Sequence, residues 1–342
     1  MKALLLTEVG KFTYTDVPAP EPGAGELQIN IKACAICNSD VHGYDGSSGR
    51  RQPELIIGHE ASGVVSKVGP GVTRFRTGDR VVFNSVKYCG ECYYCRNGLE
   101  NMCTNGCCYG IRTDTQHLDG AMAEYLTVPE YICYPMPDNI SFETAALIEP
   151  LAIMVHAVNG VDIKVNQTAV VFGAGVMGLM GLKVLKATGC GKVIVVEMDE
   201  FKKEMARKNG ADHIVDGRED VPAIIHQLTG SIGADFAIDT AGVKATITNG
   251  FRCLKRTGTL IQIGNLSPFV EAPLQTLVNS EIKWIGRYGT FAEYESALAL
   301  LASGKVSVDD CLSKVVPLKD GQEWFDRLHA GEPGILKVVL VP

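Results

Sequence analysis

Four closely spaced cysteines are the strongest chemical signal in the chain: Cys89, Cys92, Cys95 and Cys103. Four thiolates this close in sequence can surround one tetrahedral zinc ion. Gly90 and Gly98 lie between them, where a metal-binding loop needs tight turns. Because the protein fills all four positions, such a site has no coordination position left for a substrate. The spacing therefore predicts a structural zinc ion.

A second group of possible zinc ligands is spread over a longer stretch. Gly58-His59-Glu60 places an imidazole beside a carboxylate, and Cys37 lies 22 residues before His59. Glu149 lies in an apolar segment, where an unpaired carboxylate would be costly. A catalytic zinc needs three protein ligands and one exchangeable position. The sequence predicts Cys37, His59 and a carboxylate from Glu60 or Glu149.

The sequence leaves the geometry of the His59–Glu60 pair open. Adjacent side chains on a strand point to opposite faces. Either the backbone bends at Gly58, where a glycine makes this easy, or only one of the two residues binds the metal directly.

The stretch Gly173-Ala174-Gly175-Val176-Met177-Gly178 has the spacing of a dinucleotide-binding turn. It follows a β-branched apolar run and opens a predicted helix. The pyrophosphate of a dinucleotide would therefore lie at the N-terminus of that helix, close to free backbone N–H groups.

Glu197 ends the next predicted strand, 19 residues after Gly178, and can accept hydrogen bonds from both hydroxyls of the adenosine ribose. Its charge would repel a 2′-phosphate, which favours NAD over NADP. Lys202 and Lys203 follow closely and are the argument for NADP. The predicted cofactor contacts are Gly173, Gly175, Val176, Met177, Gly178, Glu197 and Lys202.

The elements that must position these residues fall into two patterns. Up to about residue 150, short apolar runs between glycines and prolines predict strands at 2–6, 27–33, 61–68, 80–84 and 123–128. From about residue 165, strands alternate with helices predicted at 176–187, 200–209, 221–228 and 244–253, which indicates a parallel sheet. The tail, with helices at 291–303 and 319–328, can extend that sheet or return to the first domain.

Composition narrows the classes of function. The 342 residues carry a net charge of −7 and are 46% hydrophobic, which predicts a globular protein of about two domains. An acidic chain without a basic block argues against nucleic-acid and membrane partners. Its apolar runs are too short for a signal peptide or a membrane span. We therefore expect a cytoplasmic protein whose twelve cysteines are thiols or metal ligands.

In this order, the Cys37–His42 segment, Gly58-His59-Glu60, the cysteine lobe at 89–103 and the glycine turn resemble the zinc-dependent medium-chain dehydrogenases. The resemblance covers essentially the whole chain. It is strongest to the sorbitol (polyol) dehydrogenase group, because Glu149 stands where alcohol dehydrogenases place a cysteine ligand. Arg287-Tyr288 after the last sheet strand and His42 in Cys-x-Ser-Asp-x-His also fit that group.

The resemblance implies an α/β fold. A GroES-like, β-rich catalytic domain would contain residues 1–150 and 287–342, and a Rossmann domain with a doubly wound parallel sheet would contain 151–286. The active site would lie in the cleft between them, and the protein would be a homodimer or homotetramer. The implied cofactors are two zinc ions per subunit and NAD. The implied reaction is hydride transfer between NAD and a secondary alcohol of a polyol, sugar or sugar acid.

The resemblance also implies roles for single residues. Zinc would lower the pKa of the substrate hydroxyl. Ser39 would accept the hydroxyl proton, which would pass through the nicotinamide ribose to His42 and solvent. Asp40 would orient His59, and Glu60 would be a direct ligand, lie behind the ligands, or alternate between the two. The predicted substrate contacts are Ser39, Tyr44, Arg287 and Tyr288. Polyol dehydrogenases often have an aromatic residue after His42, where this chain has Gly43 and then Tyr44.

Two alternatives remain. The first is a threonine, butanediol or simple alcohol dehydrogenase of the same family, although threonine dehydrogenases usually have Asp-Pro in place of Glu149-Pro150. The second is a non-catalytic protein that binds zinc and nucleotide. Loss of a zinc ligand or of a nucleotide glycine would indicate the second alternative, and the sequence keeps them all.

Overall fold

The computed structural model describes residues 1–290 and 292–342 and divides the chain into two compact units. The first unit contains Met1–Glu149, Thr290–Gly304 and Val308–Pro342, and the second contains Pro150–Gly289 and Lys305–Ser307. The sequence placed 150, 287–289 and 305–307 in the first domain, whereas compactness assigns them to the second unit. Among the described residues, no helix has the length and apolar character needed to cross a membrane.

The described strands are numbered in chain order. In the first half of the chain they are β1 (Lys2–Glu8), β2 (Lys11–Asp16), β3 (Glu26–Ala35), β4 (Leu55–Ile56), β5 (Glu60–Val68), β6 (Arg80–Phe83), β7 (Val86–Lys87), β8 (Cys107–Cys108), β9 (Ile111–Arg112), β10 (His117–Leu118), β11 (Tyr125–Pro129) and β12 (Cys133–Pro135). The others are β13 (Thr168–Phe172), β14 (Lys192–Glu197), β15 (His213–Asp216), β16 (Ala234–Asp239), β17 (Leu254–Gln262), β18 (Lys283–Gly286), β19 (Leu312–Pro317) and β20 (Lys337–Val341).

The described α-helices are α1 (Asn38–Tyr44), α2 (Tyr93–Arg96), α3 (Phe142–Ala146), α4 (Ile148–Val158), α5 (Val176–Ala187), α6 (Glu200–Lys208), α7 (Val221–Leu228), α8 (Lys244–Cys253), α9 (Leu274–Asn279), α10 (Glu293–Ala302) and α11 (Gly321–His329). Side chains that precede them satisfy free backbone donors at several N-termini. Ser141 accepts from the Thr144 N–H at 3.1 Å, and Asp199 accepts from the Lys202 N–H at 2.9 Å.

The first unit is built on a seven-stranded sheet with the order β12-β6-β5-β3-β20-β19, to which β11 adds by pairing with β3. β3 and β5 are antiparallel and place Ala35 opposite Glu60. β20 pairs with β3 through Val339 and Ala35, so the C-terminal tail returns to the first unit. This arrangement brings the ends of β3, β5 and β20 to one place in the fold.

The second unit contains a six-stranded parallel sheet with the order β15-β14-β13-β16-β17-β18. Numbered within the sheet, this order is 3-2-1-4-5-6, the doubly wound order that binds dinucleotides where the strand order reverses. Val170 and Phe172 on β13 are fully buried, as expected for a central strand covered on both faces. The α/β fold predicted from the sequence is confirmed.

Most elements of the second unit match the predicted ranges, including the helices at 176–187, 221–228 and 244–253. The predicted helix 291–303 is observed as α10, and residue 291 lies outside the described residues. The sequence did not predict α1. Its seven residues include Gly43 and β-branched Val41, which favour helix weakly, so tertiary contacts and not propensity stabilise it.

Candidate functional site

The four-cysteine lobe brings its sulfur atoms together around a point. All four Sγ atoms lie within 4.8 Å of one another. Cys92 and Cys95 are 3.5 Å apart, as are Cys89 and Cys103, and the Cys92–Cys103 distance is 3.9 Å. A tetrahedral zinc with ordinary zinc–sulfur bonds separates its ligands by about 3.8 Å. The cysteines are unbridged, so the lobe has the donor set and the spacing for one zinc ion.

Backbone amides prepare this lobe for a metal. Hydrogen bonds from the N–H groups of Cys95 and Thr104 lower the pKa of Cys92 to about 5. The pKa of Cys89 is also lowered, by the N–H groups of Glu91 and Cys92. The backbone thus favours the thiolate at Cys89 and Cys92, which is the form of cysteine that binds zinc, whereas burial raises the pKa of Cys95 to about 12.

Cys37, His59 and Glu60 form the second group. One ligand atom from each lies within 4.8 Å of the others, which gives a sulfur, a nitrogen and an oxygen. Gly58 makes this possible, since its φ of 101° bends the chain just before His59. A Cβ at Gly58 would lie 2.7 Å from the sulfur of Cys34. The bend brings the side chains of His59 and Glu60 into the same group, although they are adjacent in sequence, and direct ligation of the metal by Glu60 stays a prediction.

Asp40 lies beneath this group and is completely buried. Its carboxylate accepts from the Cys37 N–H at 3.1 Å and from Arg51 Nη2 at 2.8 Å, and it lies 3.3 Å from Nδ1 of His59. Burial alone would raise the pKa of Asp40, but His59 and Arg51 hold it well below its usual range. Asp40 therefore fixes the N-terminus of α1, on which Cys37 is the N-cap, and the imidazole together.

The charge of Asp40 also acts on His59. Burial disfavours the imidazolium, yet the neighbouring carboxylate raises the pKa of His59 well above its usual value. A metal at this position must displace the proton, so binding there releases a proton and weakens as the pH falls.

The two candidate carboxylates have different partners. Glu60 lies against Lys337 of β20, whose Nζ is 2.8 Å from Oε1 and 2.7 Å from Oε2. Glu149 accepts from Ser85 Oγ at 2.9 Å and does not belong to the Cys37–His59–Glu60 group. Burial raises the pKa of Glu149. Glu60 is therefore fixed at the predicted metal site by a buried ion pair with Lys337, whereas Glu149 is hydrogen-bonded to Ser85 and lies outside that group.

The two residues of the predicted proton path lie on α1. Ser39 is exposed, and its Oγ accepts from Arg51 Nη2 at 3.2 Å. His42 is also exposed, and its Nδ1 lies 3.4 Å from Oγ of Ser47. Both side chains can thus exchange protons with solvent or with a bound molecule.

Tyr44 was predicted to contact substrate, and the structure contradicts this. Only 4% of Tyr44 is exposed, and its ring packs against Phe12 and Phe325. Its hydroxyl donates to the Gly10 carbonyl at 2.7 Å and contacts the Asp326 carboxylate. The physical reason is the helical phase of α1, because Tyr44 lies on the face that packs against α11.

The other predicted substrate contacts, Arg287 and Tyr288, belong to the second unit. The guanidinium of Arg287 lies against Gly160, where a Cβ would come within 2.1 Å of its Nη2. Tyr288 is half exposed. Their role in substrate binding stays a prediction.

The glycine turn of the second unit has the geometry of a dinucleotide cradle. Gly173 has a φ of 92°, which side chains rarely allow. A Cβ at Gly178 would lie 1.9 Å from the Gly173 carbonyl oxygen, so only glycine lets α5 approach β13 this closely. A Cβ at Gly175 would meet nothing within 4 Å, which leaves open space beside the N-terminus of α5. Val176 and Met177 begin that helix.

Glu197 is held by backbone donors. Oε2 accepts from the Ala174 N–H at 2.8 Å, and Oε1 accepts from the N–H groups of Met198 at 2.7 Å and Asp199 at 3.1 Å. A carboxylate has about four acceptor positions, so at least one remains for a ribose hydroxyl. The contact with Ala174 ties Glu197 to the glycine turn itself.

Several residues that organise these sites were missed by sequence reasoning. Arg51, Lys337 and Ser85 each contact a predicted site residue from a distant part of the chain. Neither their type nor their spacing marks them, since they lie 11, 277 and 64 residues from the partners they contact. Only the tertiary fold brings them to the site.

Comparison with known proteins agrees with this geometry. Residues 23–138 match the family described as Alcohol dehydrogenase GroES-like domain, and residues 176–303 match the family described as Zinc-binding dehydrogenase. D-xylulose reductase A of Aspergillus oryzae is 34% identical over 342 residues, covering 96% of this chain and 94% of the relative. The chain belongs to the zinc-dependent medium-chain dehydrogenases. The family and the fold expected from the sequence are thereby confirmed.

Solved structures show the same architecture. The alcohol dehydrogenase TADH from Thermus sp. ATN1 is 26% identical with a TM-score of 0.94, and the match covers 100% of this dehydrogenase and 99% of that chain. A chain from Sinorhizobium meliloti 1021 bound to NADP is 29% identical with a TM-score of 0.91 and the same coverage. This dehydrogenase is therefore an oxidoreductase of the alcohol and polyol type, which uses zinc and a nicotinamide dinucleotide.

Proposed function

We propose that this dehydrogenase oxidises a secondary alcohol of a polyol, or reduces the corresponding ketose, with NAD as the hydride carrier. The observation that carries the proposal is the mixed group of Cys37, His59 and Glu60, which offers zinc one sulfur, one nitrogen and one oxygen ligand. The relatives named D-xylulose reductase point to the same class of substrate, a polyol and its ketose.

Cys37, His59 and Glu60 would hold the catalytic zinc, and the four-cysteine lobe would hold the structural zinc. When bound, the catalytic zinc supplies Lewis acidity that lowers the pKa of the substrate hydroxyl. Ser39 accepts the hydroxyl proton, and His42 passes it to solvent. Asp40 holds His59 in place, and Lys337 holds Glu60. Glu149, hydrogen-bonded to Ser85, is a second carboxyl group in the same unit as Glu60.

The second unit favours NAD over NADP. Glu197 places a negative charge at the glycine turn, where a 2′-phosphate would have to lie. Asp216 lies opposite Glu197 in the sheet register and pairs with two nearby cations. It contacts Lys203 and accepts from Arg218 Nη1 at 3.1 Å, so neither cation is left for a 2′-phosphate. No ion pair involves Lys202 among the described residues, so it is the one nearby lysine available to a phosphate. Equal catalytic efficiency with NADP and NAD would contradict this part of the proposal.

A substrate panel tests the function. Purified zinc-loaded protein is given NAD and, in turn, xylitol, sorbitol, a sugar acid, 2,3-butanediol, threonine and ethanol, and NADH formation is followed by absorbance. The proposal expects the highest kcat/KM with one of the polyols and loss of activity with a chelator. Butanediol deserves a place because a 2R,3R-butanediol dehydrogenase from Bacillus subtilis is 28% identical with a TM-score of 0.90. A preference for butanediol, threonine or ethanol would reject a polyol substrate, and failure to bind NAD would reject an enzyme.

We also propose a homodimer or homotetramer in the cytoplasm. β18 is the last strand of the six-stranded sheet and has a free edge in the described chain. Trp284 on β18 itself is 38% exposed, and the preceding helix α9 exposes Leu274 at 65% and Val278 at 64%. Free strand edges with apolar neighbours are natural sites for pairing with another chain. The twelve cysteines form no disulfide among the described residues, which suits a reducing compartment. Light scattering that gives the 36.8 kDa mass of one chain would contradict the oligomer.

A further inference from the structure

Arg51 is a buried cation beside the predicted proton path. Only 6% of Arg51 is exposed, although arginine is mostly a surface residue. Its Nη2 donates to Asp40 at 2.8 Å and to Ser39 at 3.2 Å. One guanidinium nitrogen thus joins the residue that orients His59 to the residue that receives the substrate proton.

The chain makes room for this arginine. In α1, a Cβ at Gly43 would lie 2.0 Å from Cδ, 2.8 Å from Cγ and 2.9 Å from Cβ of Arg51. These are stem atoms close to the backbone, so a small movement cannot relieve the overlap. The absence of a side chain at Gly43 is therefore what lets the stem of Arg51 lie across the helix and reach Ser39 and Asp40.

We propose that Arg51 is a positioning residue that gives the proton transfer through Ser39 its direction. The proposal rests on the proposed alcohol oxidation. A serine hydroxyl has two acceptor positions and one proton to donate. Arginine only donates, so its contact fills one acceptor position of Ser39 and cannot take the serine proton. Ser39 keeps one acceptor position for the substrate hydroxyl and one proton to pass on.

The transfer balances as a proton movement alone. The O–H bond of the substrate breaks and a new O–H bond forms at Ser39, while the original proton of Ser39 leaves toward His42 and solvent. The hydride goes separately to NAD, the hydride acceptor of the proposed function. Arg51 gains and loses nothing in this step. Its contribution is to hold the Ser39 oxygen in one orientation and to keep that oxygen from turning its proton toward Asp40.

Arg51→Met tests the proposal, with the neighbouring Arg50→Met as the matched control because Arg50 is exposed. We expect Arg51→Met to lower kcat by about 10- to 100-fold per bound zinc, as for other residues that orient catalytic groups, with little change in KM. The solvent deuterium isotope effect on kcat should increase, because proton transfer becomes slower. Arg50→Met should behave like the wild type.

Ser39→Ala separates this role from a purely structural one. If Arg51 acts through Ser39, Arg51→Met in the Ser39→Ala background should lower kcat by much less than it does alone. The same loss in both backgrounds, with no change in the isotope effect, would overturn the proposal. A fully active Ser39→Ala protein would instead reject the proton path in the proposed function, so the two failures are distinguishable.

Gly43→Ala provides a second variant that keeps every polar group. Alanine normally favours helix over glycine, so helix propensity alone predicts unchanged activity. If the new Cβ displaces Arg51, Gly43→Ala should instead show the lower kcat and the larger isotope effect expected for Arg51→Met. Arg51→Lys keeps the charge without the planar guanidinium. Compared with Arg51→Met, it should restore zinc content more fully than it restores kcat. Wild-type kinetics in both Gly43→Ala and Arg51→Lys would also contradict the proposal.

Discussion

The two predicted metal centres are assembled in different ways. The lobe takes four sulfur ligands from one short segment, residues 89–103. The mixed group takes its three ligands from β5, the bend before it and the N-cap of α1. Each ligand of the mixed group has a neighbour that holds it. A local centre can be recognised by spacing, whereas a dispersed centre depends on the packing of the whole unit.

The difference extends to charge. In the lobe, backbone N–H groups are the largest cause of the lowered pKa of Cys89 and Cys92 and so favour their thiolates. In the mixed group, buried charges are paired with buried partners, Asp40 with Arg51 and Glu60 with Lys337. Removing one partner of a buried pair is far more damaging than removing an exposed charge. The comparison therefore predicts that changes near the mixed group have the larger effects.

The largest effect is expected for His59→Ala. Loss of this buried ligand should remove one of two zinc ions per chain and lower kcat/KM by about 1,000-fold or more, which corresponds to about 4 kcal/mol. Metal analysis and steady-state kinetics measure the two quantities, and exposed His117→Ala is the control. Two zinc ions retained in His59→Ala would show that the mixed group is not a metal site.

Acid should release the two metals in a fixed order. Asp40 raises the pKa of His59, so protons compete with the metal there at a pH above the ordinary imidazole value. The pKa of Cys92 is lowered to about 5, so its thiolate persists until the pH falls to that range. Lowering the pH from 8 should free the zinc of the mixed group before the zinc of the lobe, because only the mixed group must compete with a buried imidazolium stabilised by a carboxylate. A chromogenic chelator follows the release, and simultaneous loss of both ions would contradict the order.

Lys337→Met should strongly destabilise the first unit. It leaves the Glu60 carboxylate buried without its cation, which costs about 3–5 kcal/mol in comparable pairs. Denaturant unfolding measures the loss, and Lys314→Met, at an exposed position of the neighbouring strand β19, should be nearly neutral. A bound zinc ion would offset part of the uncompensated charge of Glu60, so the decrease in unfolding free energy should be smaller with zinc than without it. Equal stability of the two lysine variants would contradict a structural pair.

Cys92→Ser should affect the lobe alone. We expect loss of one zinc ion and a decrease in unfolding free energy of about 2 kcal/mol, or roughly 4–8 °C in Tm. Activity per folded molecule should change less than twofold, because the lobe has no open metal position. Calorimetry and metal analysis check this, with Cys107→Ser as the control outside the lobe. Loss of the catalytic metal as well would show that the two centres are coupled.

The smallest effect is expected for Tyr44→Phe. The hydroxyl of Tyr44 contacts the Asp326 carboxylate and donates to the Gly10 carbonyl, so its loss should cost about 1–2 kcal/mol of stability. Because Tyr44 is buried in the core, KM for the alcohol should stay unchanged. A several-fold increase in KM without a change in Tm would restore the predicted substrate contact.

Residues with a local signature were predictable. The four cysteines and the glycine turn have spacings that only a few structures use, and β13 and α5 have the predicted bounds. Tyr44 was misplaced because its closeness to His42 in sequence says nothing about the face of α1 on which it lies. The sequence does not predict which sheet the C-terminal tail joins, because a strand such as 337–341 can pair with any free edge. The structure pairs it with β3.

The sequence by itself determined the chemistry: which residues can bind zinc, which glycines can admit a dinucleotide, and that Glu197 carries the charge against a 2′-phosphate. Those properties follow from residue type and spacing. Tertiary structure alone decided which distant groups hold these residues, namely Arg51 at Asp40 and Ser39, and Lys337 at Glu60. The physical reason is that pairing of buried charges depends on strands and loops far apart in sequence, and no local pattern records their meeting.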